Sequence, residues 1–246
     1  MLREFVKQVL LSRGMVLSRP PGQFSLQQVK LENARRRGLK IEAVIDGGAS
    51  DGSWAREIQA TYPNARVLCV EPREECQAGL AQTARELKGV DYAATLLGDR
   101  EGTMRMNIAD TQSSILDNSQ GQHFGTSVKE YPITTLDKLV QQKNFPWPDL
   151  IKLDLQGAEL QALAGAGECL RRGQALLLEV SFIELQKGCP LLYDVVTFCH
   201  SVGYRVYDIP SLWHRPLDGA LAQGDFLFLK DDHPLLRDAR WSETIG

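Results

Sequence analysis

The sequence predicts a doubly wound α/β fold, with a mostly parallel sheet, an antiparallel edge strand and an N-terminal helical arm. Short apolar segments alternate with segments of helical periodicity, and several of the apolar segments end in an acid. Strands that alternate with helices form parallel sheets that are covered on both faces. The last two apolar segments lack a helix pattern between them, so we expect them to pair antiparallel at the edge.

Composition sets limits on the class of protein. The chain has 246 residues, of which 43% are hydrophobic and 24% charged, as in a single globular domain with an extension. The net charge of −3 argues against general electrostatic binding to nucleic acid or anionic membranes. No apolar run approaches the ~20 residues of a membrane span. The five cysteines form no C-x-x-C pair, so we expect reduced thiols and a cytoplasmic location.

The N-terminal region differs from the rest of the chain. Residues 2–12 show the periodicity of an amphipathic helix, and a second helix is expected to begin after Ser25 and to end at Gly38. We therefore divide the chain into an arm, residues 1–38, and a main domain, residues 39–246. The apolar face of the arm must be covered, which favours a homodimer contact over capping a cleft or touching a membrane surface.

The main domain then shows regular alternation. Strands are predicted at residues 41–46, 66–71, 90–95, 149–154, 175–181, 204–209 and 225–230, with a further short strand after Gly102. Helices are predicted at about residues 53–61, 73–88, 158–171 and 190–202. Residues 110–132 are polar and rich in Ser, Gln and Gly, which predicts a long loop of the kind that is often functional.

Ligands of open α/β sheets bind at the carboxyl ends of the strands, near the reversal of strand order. The residues that end the predicted strands there are acids: Asp46, Glu71, Asp154 and Glu179. These four positions are therefore the first candidates for a functional site.

The turn after the first strand reinforces this expectation. It consists of Gly47, Gly48, Ala49, Ser50, Asp51 and Gly52. Small residues let a ligand approach the backbone, but the spacing is neither a dinucleotide fingerprint nor a phosphate loop. Asp46 and Asp51 would repel a pyrophosphate and suit a cationic ligand. Glu71 can hold the two hydroxyls of a ribose. S-adenosylmethionine carries a ribose, a sulfonium and an amino group without phosphate, so these residues favour it over NAD or ATP.

A second candidate cluster lies in residues 151–160. Asp154 ends a buried strand, where it could orient a substrate hydroxyl or bind a metal ion. Lys152 lies within that apolar strand, so we expect it to pair with a neighbouring acid. Glu159 opens the next helix, where an acid is as well suited to capping as to chemistry.

Seven features follow one another between about residues 41 and 230: VIDGGASDGSWA, CVEP, LLGDREGT, the Ser113–Ser114 pair, ITTLDKLV, DLIKLDLQGAELQALAGA and ALLLEVS. In these features and their order, the sequence resembles the FkbM family of S-adenosylmethionine-dependent methyltransferases. The resemblance implies a Rossmann-like class I methyltransferase fold and methylation of a hydroxyl, with acceptors such as sugars, glycolipids and macrolides.

The resemblance also implies roles for particular residues. It adds Pro72, Asp99, Ser113 and Ser114 to the expected cofactor-binding residues. Gln156 stands where the family usually has a glutamate, which removes one possible metal ligand. Asp154 is then the one candidate ligand if a metal takes part.

Methyl transfer to a hydroxyl needs the oxygen about 3 Å from the methyl group and a route for the proton. Asp154 is the expected acid on the substrate side, with His123 in the long loop and His214 after a strand as competing bases. Glu179 and Glu184 flank the end of one strand and are expected to line the acceptor site.

The leading prediction is thus an O-methyltransferase acting on a sugar or related acceptor. The alternatives are a methyltransferase for a phenol, an amine or a macrolide, and a non-catalytic domain that binds the cofactor or a partner. An NAD-dependent oxidoreductase is disfavoured because the dinucleotide fingerprint is missing. Of the remaining histidines, we expect His200 to pack inside the protein and His233 to lie on the surface.

Overall fold

The structure, a computed structural model, describes residues 26–109, 112–117 and 127–240. The predicted helix at residues 2–12, the predicted helix start at Ser25 and the candidate base His123 lie outside the described residues. The homodimer expected from the arm therefore stays a prediction.

The described residues form two sheets and their covering helices. The strands are β1 (Ala43–Gly47), β2 (Arg66–Val70), β3 (Val90–Ala93), β4 (Leu96–Leu97), β5 (Gly102–Ile108), β6 (Ser127–Thr134), β7 (Leu150–Leu153), β8 (Ala175–Ser181), β9 (Tyr204–His214) and β10 (Leu221–Lys230). The helices are α1 (Leu26–Arg36), α2 (Ser53–Thr61), α3 (Glu74–Glu86), α4 (Leu136–Gln142), α5 (Glu159–Ala164), α6 (Gly167–Arg172), α7 (Leu192–Ser201) and α8 (Pro234–Arg237).

The main sheet has seven strands in the order β3-β2-β1-β7-β8-β10-β9. Strands β1, β2, β3, β7 and β8 are parallel, whereas β10 pairs antiparallel with both β8 and β9. The predicted parallel sheet with an antiparallel edge is confirmed. Because the strand order reverses between β1 and β7, their carboxyl ends border the crevice where open α/β sheets bind ligands.

The strands are apolar because both faces of the sheet are covered. Ile45 and Leu153 belong to the hydrophobic cluster on one face, while Val44 and Leu150 belong to the cluster on the other. Each of these four side chains is completely buried. A parallel sheet with helices on both faces requires such runs rather than a polar alternation.

A second sheet corrects the predicted loop at residues 110–132. Residues 127–132 are not loop but the first part of β6, which pairs antiparallel with β5 and parallel with β4. The side chains of Tyr131 and Ile133 are buried against Met106, while the intervening residue is exposed. This alternation is the usual signal of a half-buried strand, but it covers too few residues to stand out in a polar segment.

Other boundaries also differ from the sequence prediction, and two of these differences have a clear structural reason. The expected helix at 158–171 is two short helices, α5 and α6, that break near Gly165. A Cβ at Gly165 would lie 2.2 Å from the carbonyl oxygen of Gly98, so the chain packs too closely there for any other residue. The strand expected at 204–209 continues to His214, because β9 and β10 form one long hairpin.

Helix α1 is an integral part of the main domain's surface. It packs on α2 and β9, and Lys30 forms an ion pair with Asp208 of β9 at 3.0 Å. The amide of Gln27 donates a hydrogen bond to Asp225 of β10. The described part of the arm therefore reaches the carboxyl end of the sheet.

Two expectations about histidines are wrong. His200 is exposed on α7, although its spacing suggested packing. His233 is buried, and its Nδ1 accepts a hydrogen bond of 3.2 Å from the backbone N–H of Leu235, so it caps α8. Among the described residues, no helix is long and apolar enough to span a membrane.

Candidate functional site

The turn after β1 is shaped by glycine and lies against the end of β7. Gly48 has φ of +74°, and its N–H donates to the carbonyl of Val70 at 3.0 Å. A Cβ at Gly48 would lie 2.0 Å from the carbonyl oxygen of Asp154. Ser50 also has positive φ, +48°, which is uncommon outside glycine and costs free energy. The turn thus presents backbone, rather than side chains, to the crevice.

Glu71 follows β2 beside this turn, and its carboxylate is already well supplied with donors. It accepts hydrogen bonds from the backbone N–H of Ser50 and of Arg73, both at 3.1 Å. The Arg73 guanidinium adds two more, from Nε at 2.9 Å and from Nη2 at 3.3 Å. Both side chains are buried, so this is an ion pair shielded from water. Sequence reasoning identified Glu71 but missed Arg73.

A second buried ion pair lies beneath the turn. Lys152 Nζ is 3.0 Å from Asp46 Oδ1, with side-chain exposures of 8% and 0%. Burial raises the pKa of Asp46, and the Lys152 charge opposes that rise. The expected pairing of Lys152 with an acid is confirmed. The Asp46 side chain faces this lysine and lines neither of the two cavities described below.

The end of β7 carries a cluster of polar side chains around Asp154. Gln156 Nε2 donates to Asp154 Oδ1 at 2.8 Å and to Glu179 Oε2 at 2.8 Å. Gln223 of β10 donates to the same Glu179 oxygen at 2.9 Å. Burial is the main cause that raises the pKa of Glu179 to about 9, with the Asp154 charge next. Glu179 therefore holds its proton near neutral pH.

Glu159 has a structural position. Its Oε1 accepts hydrogen bonds from the backbone N–H groups of Leu155, at 2.7 Å, and Gly157, at 3.3 Å. Burial raises the pKa of Glu159 to about 7, against the opposing effect of these bonds. Of the two roles left open by the sequence, the contacts match capping of the turn before α5.

Two adjoining cavities occupy the carboxyl end of the sheet. The inner cavity, of about 150 Å³, is bordered by Glu71, Pro72 and Arg73 on one side and by Ser113 and Ser114 on another. The outer cleft, of about 440 Å³, is bordered by α1, α2, β9 and β10. Gly48, Ser50 and Asp154 line both, so an elongated ligand could cross from one to the other.

The serine pair is tied to its surroundings at the inner cavity. Ser113 Oγ accepts a hydrogen bond from the N–H of Ala109 at 2.9 Å. Ser114 Oγ donates to the carbonyl of Gln156 at 2.8 Å, and its backbone pairs with Asn107 of β5. The pair therefore links the second sheet to the end of β7.

Several predicted site residues lie away from both cavities. Asp51 accepts a hydrogen bond from the N–H of Ser53 at the start of α2. Asp99 is in contact with Gln161 and Arg100. Gly47 and Gly52 complete the turn after β1 without lining either cavity, while Ala49 lines the outer cleft.

The acceptor-side predictions divide in the same way. His214 is exposed at the end of β9 and lines neither cavity, whereas its neighbour Trp213 lines the outer cleft. Glu184 is exposed and accepts a hydrogen bond from the N–H of Gly188 at 2.6 Å. Glu179 contacts Asp154 through Gln156, as described above. No group of three or more histidine, cysteine, aspartate or glutamate side chains among the described residues could hold a metal ion.

The comparisons with known proteins agree with this geometry. Residues 46–206, more than half of the chain, match the methyltransferase FkbM domain. The chain belongs to the FkbM methyltransferase family. The matched residues include the turn after β1, Glu71, the serine pair and Asp154, so they contain the whole lining of the inner cavity. The outer cleft is completed by residues of α1, β9 and β10 that lie outside the matched range.

Individual relatives are more distant. The 2-O-methyltransferase NoeI of Sinorhizobium fredii is 28% identical over 160 residues, which are 59% of this chain and 65% of that protein's length. The solved precorrin-6y C5,15-methyltransferase of Geobacter metallireducens covers 82% of this chain and 86% of its own, at 12% identity and a TM-score of 0.46. The magnesium protoporphyrin IX methyltransferase of Synechocystis covers 83% and 80%, at 11% identity and a TM-score of 0.47.

Residues outside the sequence motifs complete the lining of the outer cleft. The outer cleft is lined by Gln27 and Trp54 on one side and by Ser211, Trp213 and Asp225 on the other. Trp54 Nε1 donates to Gln27 at 2.8 Å, and Asp225 accepts from both Gln27 and Ser211. This network is not visible in the sequence because its members are far apart along the chain. The one signal of this network in the sequence is Asp225, an acidic residue at the start of an apolar run.

Proposed function

We propose that this chain is an S-adenosylmethionine-dependent O-methyltransferase that methylates a hydroxyl of a sugar or glycan-type acceptor. Membership of the FkbM methyltransferase family supports methyl transfer. The observation that carries the acceptor class is the lining of the outer cleft, which contains two tryptophan side chains and several polar side chains as well as Asp154.

The inner cavity fits the nucleoside part of S-adenosylmethionine. Glu71 and Ser50 border it where a ribose needs a carboxylate and a close backbone, and Leu96, Met106 and Ile115 supply apolar walls for a purine ring. The junction of the two cavities is open because residue 48 is glycine. A Cβ at this position would overlap the carbonyl of Asp154 at the end of β7. When bound, S-adenosylmethionine supplies an electrophilic methyl group on a cationic sulfur. The partly exposed carboxylate of Asp154, which lines both cavities, suits that positive charge.

The outer cleft fits a polyhydroxylated acceptor better than a wholly apolar one. Trp54 and Trp213 offer flat apolar faces against the C–H side of a sugar ring, while Ser211 and Asp154 offer hydrogen bonds to its hydroxyls. In ligand sites of this kind, a small number of precisely placed polar groups in an otherwise apolar wall usually fix the orientation of the ligand. The cleft is also the wider of the two cavities, which leaves room for a group attached to the ring.

Asp154 is the group that we propose to receive the acceptor's proton. It lines both cavities, and 40% of its side chain is exposed to the cleft. Glu179 is unsuited to the task because it holds its own proton near neutral pH. Glu159 is committed to backbone N–H groups. Lys152 Nζ lies 3.9 Å from Asp154 Oδ2, so a positive charge stands beside the oxygen that we propose receives the proton.

The test is a methyl-transfer assay with isotopically labelled S-adenosylmethionine and a panel of acceptors. The panel contains simple glycosides and oligosaccharides, the same sugars with blocked hydroxyls, and phenol, amine and macrolide compounds. We expect a gain of one methyl group on a free-hydroxyl glycoside, and none when that hydroxyl is blocked. Methylation confined to phenols, amines or macrolides would overturn the acceptor class. Binding of the cofactor without any transfer would favour a non-catalytic domain.

Trp213→Ala is the matching variant, because it removes an aromatic face of the outer cleft without touching the inner cavity. We expect a tenfold or greater rise in KM for the sugar and an unchanged affinity for S-adenosylhomocysteine. His214→Ala, one residue along and outside the cleft, is the control. An effect of His214→Ala on kcat larger than that of Asp154→Asn would return the role of base to His214.

A further inference from the structure

Gln156 holds an unusual position at the junction of the two cavities. It follows β7 directly after Asp154 and Leu155, it is 5% exposed, and its φ is +51°. A buried non-glycine residue in this backbone region costs free energy and is concentrated at functional sites. The neighbouring Gly157 also has positive φ, +97°, so two consecutive residues of this turn are in the left-handed region.

The side chain and backbone of Gln156 are both engaged. Its Nε2 is shared between Asp154 Oδ1 and Glu179 Oε2, at 2.8 Å each. Its carbonyl accepts the hydroxyl hydrogen bond of Ser114. Its Oε1 is buried and has no hydrogen-bond partner among the described residues. The residue borders the inner cavity, so a donor on a bound ligand is the natural partner for that oxygen.

We infer that Gln156 is a positioning residue for the proposed methyl transfer: its amide holds Asp154 by Oδ1 and leaves Oδ2 for the acceptor hydroxyl. The inference rests on the proposed function, in which Asp154 receives the acceptor's proton. A carboxylate fixed by one oxygen presents the other in a single direction, which is the requirement for a near-attack arrangement. Ser114 holds the Gln156 carbonyl and so transmits this constraint to the wall of the inner cavity.

The Gln156 amide also lies between two carboxyl groups, in surroundings rich in acids. The charged and titratable groups packed around Asp154 come from five elements: Asp46 of β1, Lys152 of β7, Glu159 of α5, Glu179 of β8 and Asp225 of β10. Four of the five are acids. Without the Gln156 amide, Asp154 Oδ1 would lose the N–H donor that it shares with Glu179.

A titration of the Asp154 carboxyl tests the inference without cofactor or acceptor. The full chain is labelled with ¹³C at aspartate carboxyls, and the Asp154 signal is assigned by its loss in Asp154→Asn. We expect the ¹³C titration curve of Asp154 in Gln156→Met to lie at higher pH than that of the wild type, because the variant lacks both amide hydrogen bonds. In Gln156→Glu, which adds a carboxylate at the same position, we expect a larger rise.

Gln223→Met is the matched control. Gln223 donates to the same Glu179 oxygen as Gln156 but makes no contact with Asp154. A structural effect transmitted through Glu179 would therefore appear in both variants, whereas the proposed role predicts an unchanged Asp154 midpoint in Gln223→Met. Equal shifts in the two variants, or no shift in either Gln156 variant, would overturn the inference.

Two further measurements keep the outcomes separate. Binding of S-adenosylhomocysteine to the wild-type chain tests the proposed function, so binding with an unmoved Asp154 titration rejects this inference alone. Once an acceptor is known, we expect Gln156→Met to lower kcat tenfold or more with little change in KM, and to move the acidic limb of kcat upward. A fall in kcat without that movement would indicate a merely structural role. If Gln156→Met fails to fold, Gln156→Glu alone decides, because it keeps the length of the side chain.

Discussion

Arg73 Nε lies 2.9 Å from Oε1 of Glu71 in a buried pair at the edge of the inner cavity. The guanidinium and two backbone N–H groups already donate hydrogen bonds to the Glu71 carboxylate, which is the group that we propose binds the ribose. A carboxylate has about four acceptor sites, so a ribose diol must replace the guanidinium bonds. Ligand binding at this site would then move the Arg73 side chain.

Arg73→Met tests this exchange. The free protein is expected to lose about 3–5 kcal/mol of stability, because Glu71 remains buried without its charged partner. S-adenosylhomocysteine is expected to raise the melting temperature more in the variant than in the wild type, since the ribose hydroxyls then supply the missing donors. Thermal unfolding with and without ligand gives both quantities. Arg56→Met, which removes an exposed ion pair with Glu86, is the control and should change stability by less than about 1 kcal/mol.

Gly48→Ala tests the close approach of the turn to β7. We expect the variant to lose S-adenosylhomocysteine binding, because the new Cβ overlaps the Asp154 carbonyl. The overlap is also expected to lower the free energy of unfolding by about 1–3 kcal/mol, in addition to the cost of placing an alanine at a positive φ. Gly219→Ala is the matched control, since Gly219 has the same φ of +74° with nothing within 4 Å of its Cβ position. Urea unfolding of both variants separates strain from contact. Equal losses in the two would contradict the close approach.

Because Asp46 and Lys152 form a buried ion pair, we expect the effects of their substitutions on the free energy of unfolding to be strongly non-additive. Lys152→Met leaves Asp46 buried and unpaired, so a loss of about 3–5 kcal/mol is expected from urea unfolding. Asp46→Asn combined with Lys152→Met should recover most of that loss, because no uncompensated charge remains. A double variant as unstable as the sum of the two single variants would show that the residues do not act as a pair.

Glu159 predicts a pH dependence of stability. Its pKa is about 7 in the folded protein and near 4.5 when unfolded, so the folded state binds more protons between these values. The contribution of Glu159 to the free energy of unfolding is therefore greatest below about pH 4.5 and decreases as the pH rises to about 7. Glu159→Gln is neutral throughout and should lose less stability between pH 5 and 7 than the wild type. Parallel stability curves for the two proteins would contradict the raised pKa.

Much of the fold follows from the sequence because the pattern is local. The segment at 175–181 is a strand with the predicted bounds, and the helix at 53–61 likewise matches α2. The antiparallel edge follows from the missing helix before β10. Strand β6 escaped prediction because only Tyr131 and Ile133 mark its buried face in an otherwise polar segment.

The site was less predictable because it depends on contacts between distant residues. Strand-end acids and the glycine turn are visible in the sequence, and Glu71 and Asp154 do border the cavities. Arg73 is only two residues from Glu71, but the sequence pattern does not show that its guanidinium turns back onto that carboxylate. Trp54 of α2 and Trp213 of β9 line the same cleft because the folded sheet brings these distant elements together.

Calorimetric titration with S-adenosylhomocysteine tests the central claim most directly, using the wild type, Glu71→Ala and Asp99→Ala. The account predicts micromolar binding by the wild type and at least tenfold weaker binding by Glu71→Ala. Asp99→Ala, which alters an exposed residue outside both cavities, should bind as the wild type does. No binding by the wild type, or equal binding by Glu71→Ala, would contradict a cofactor site in the inner cavity.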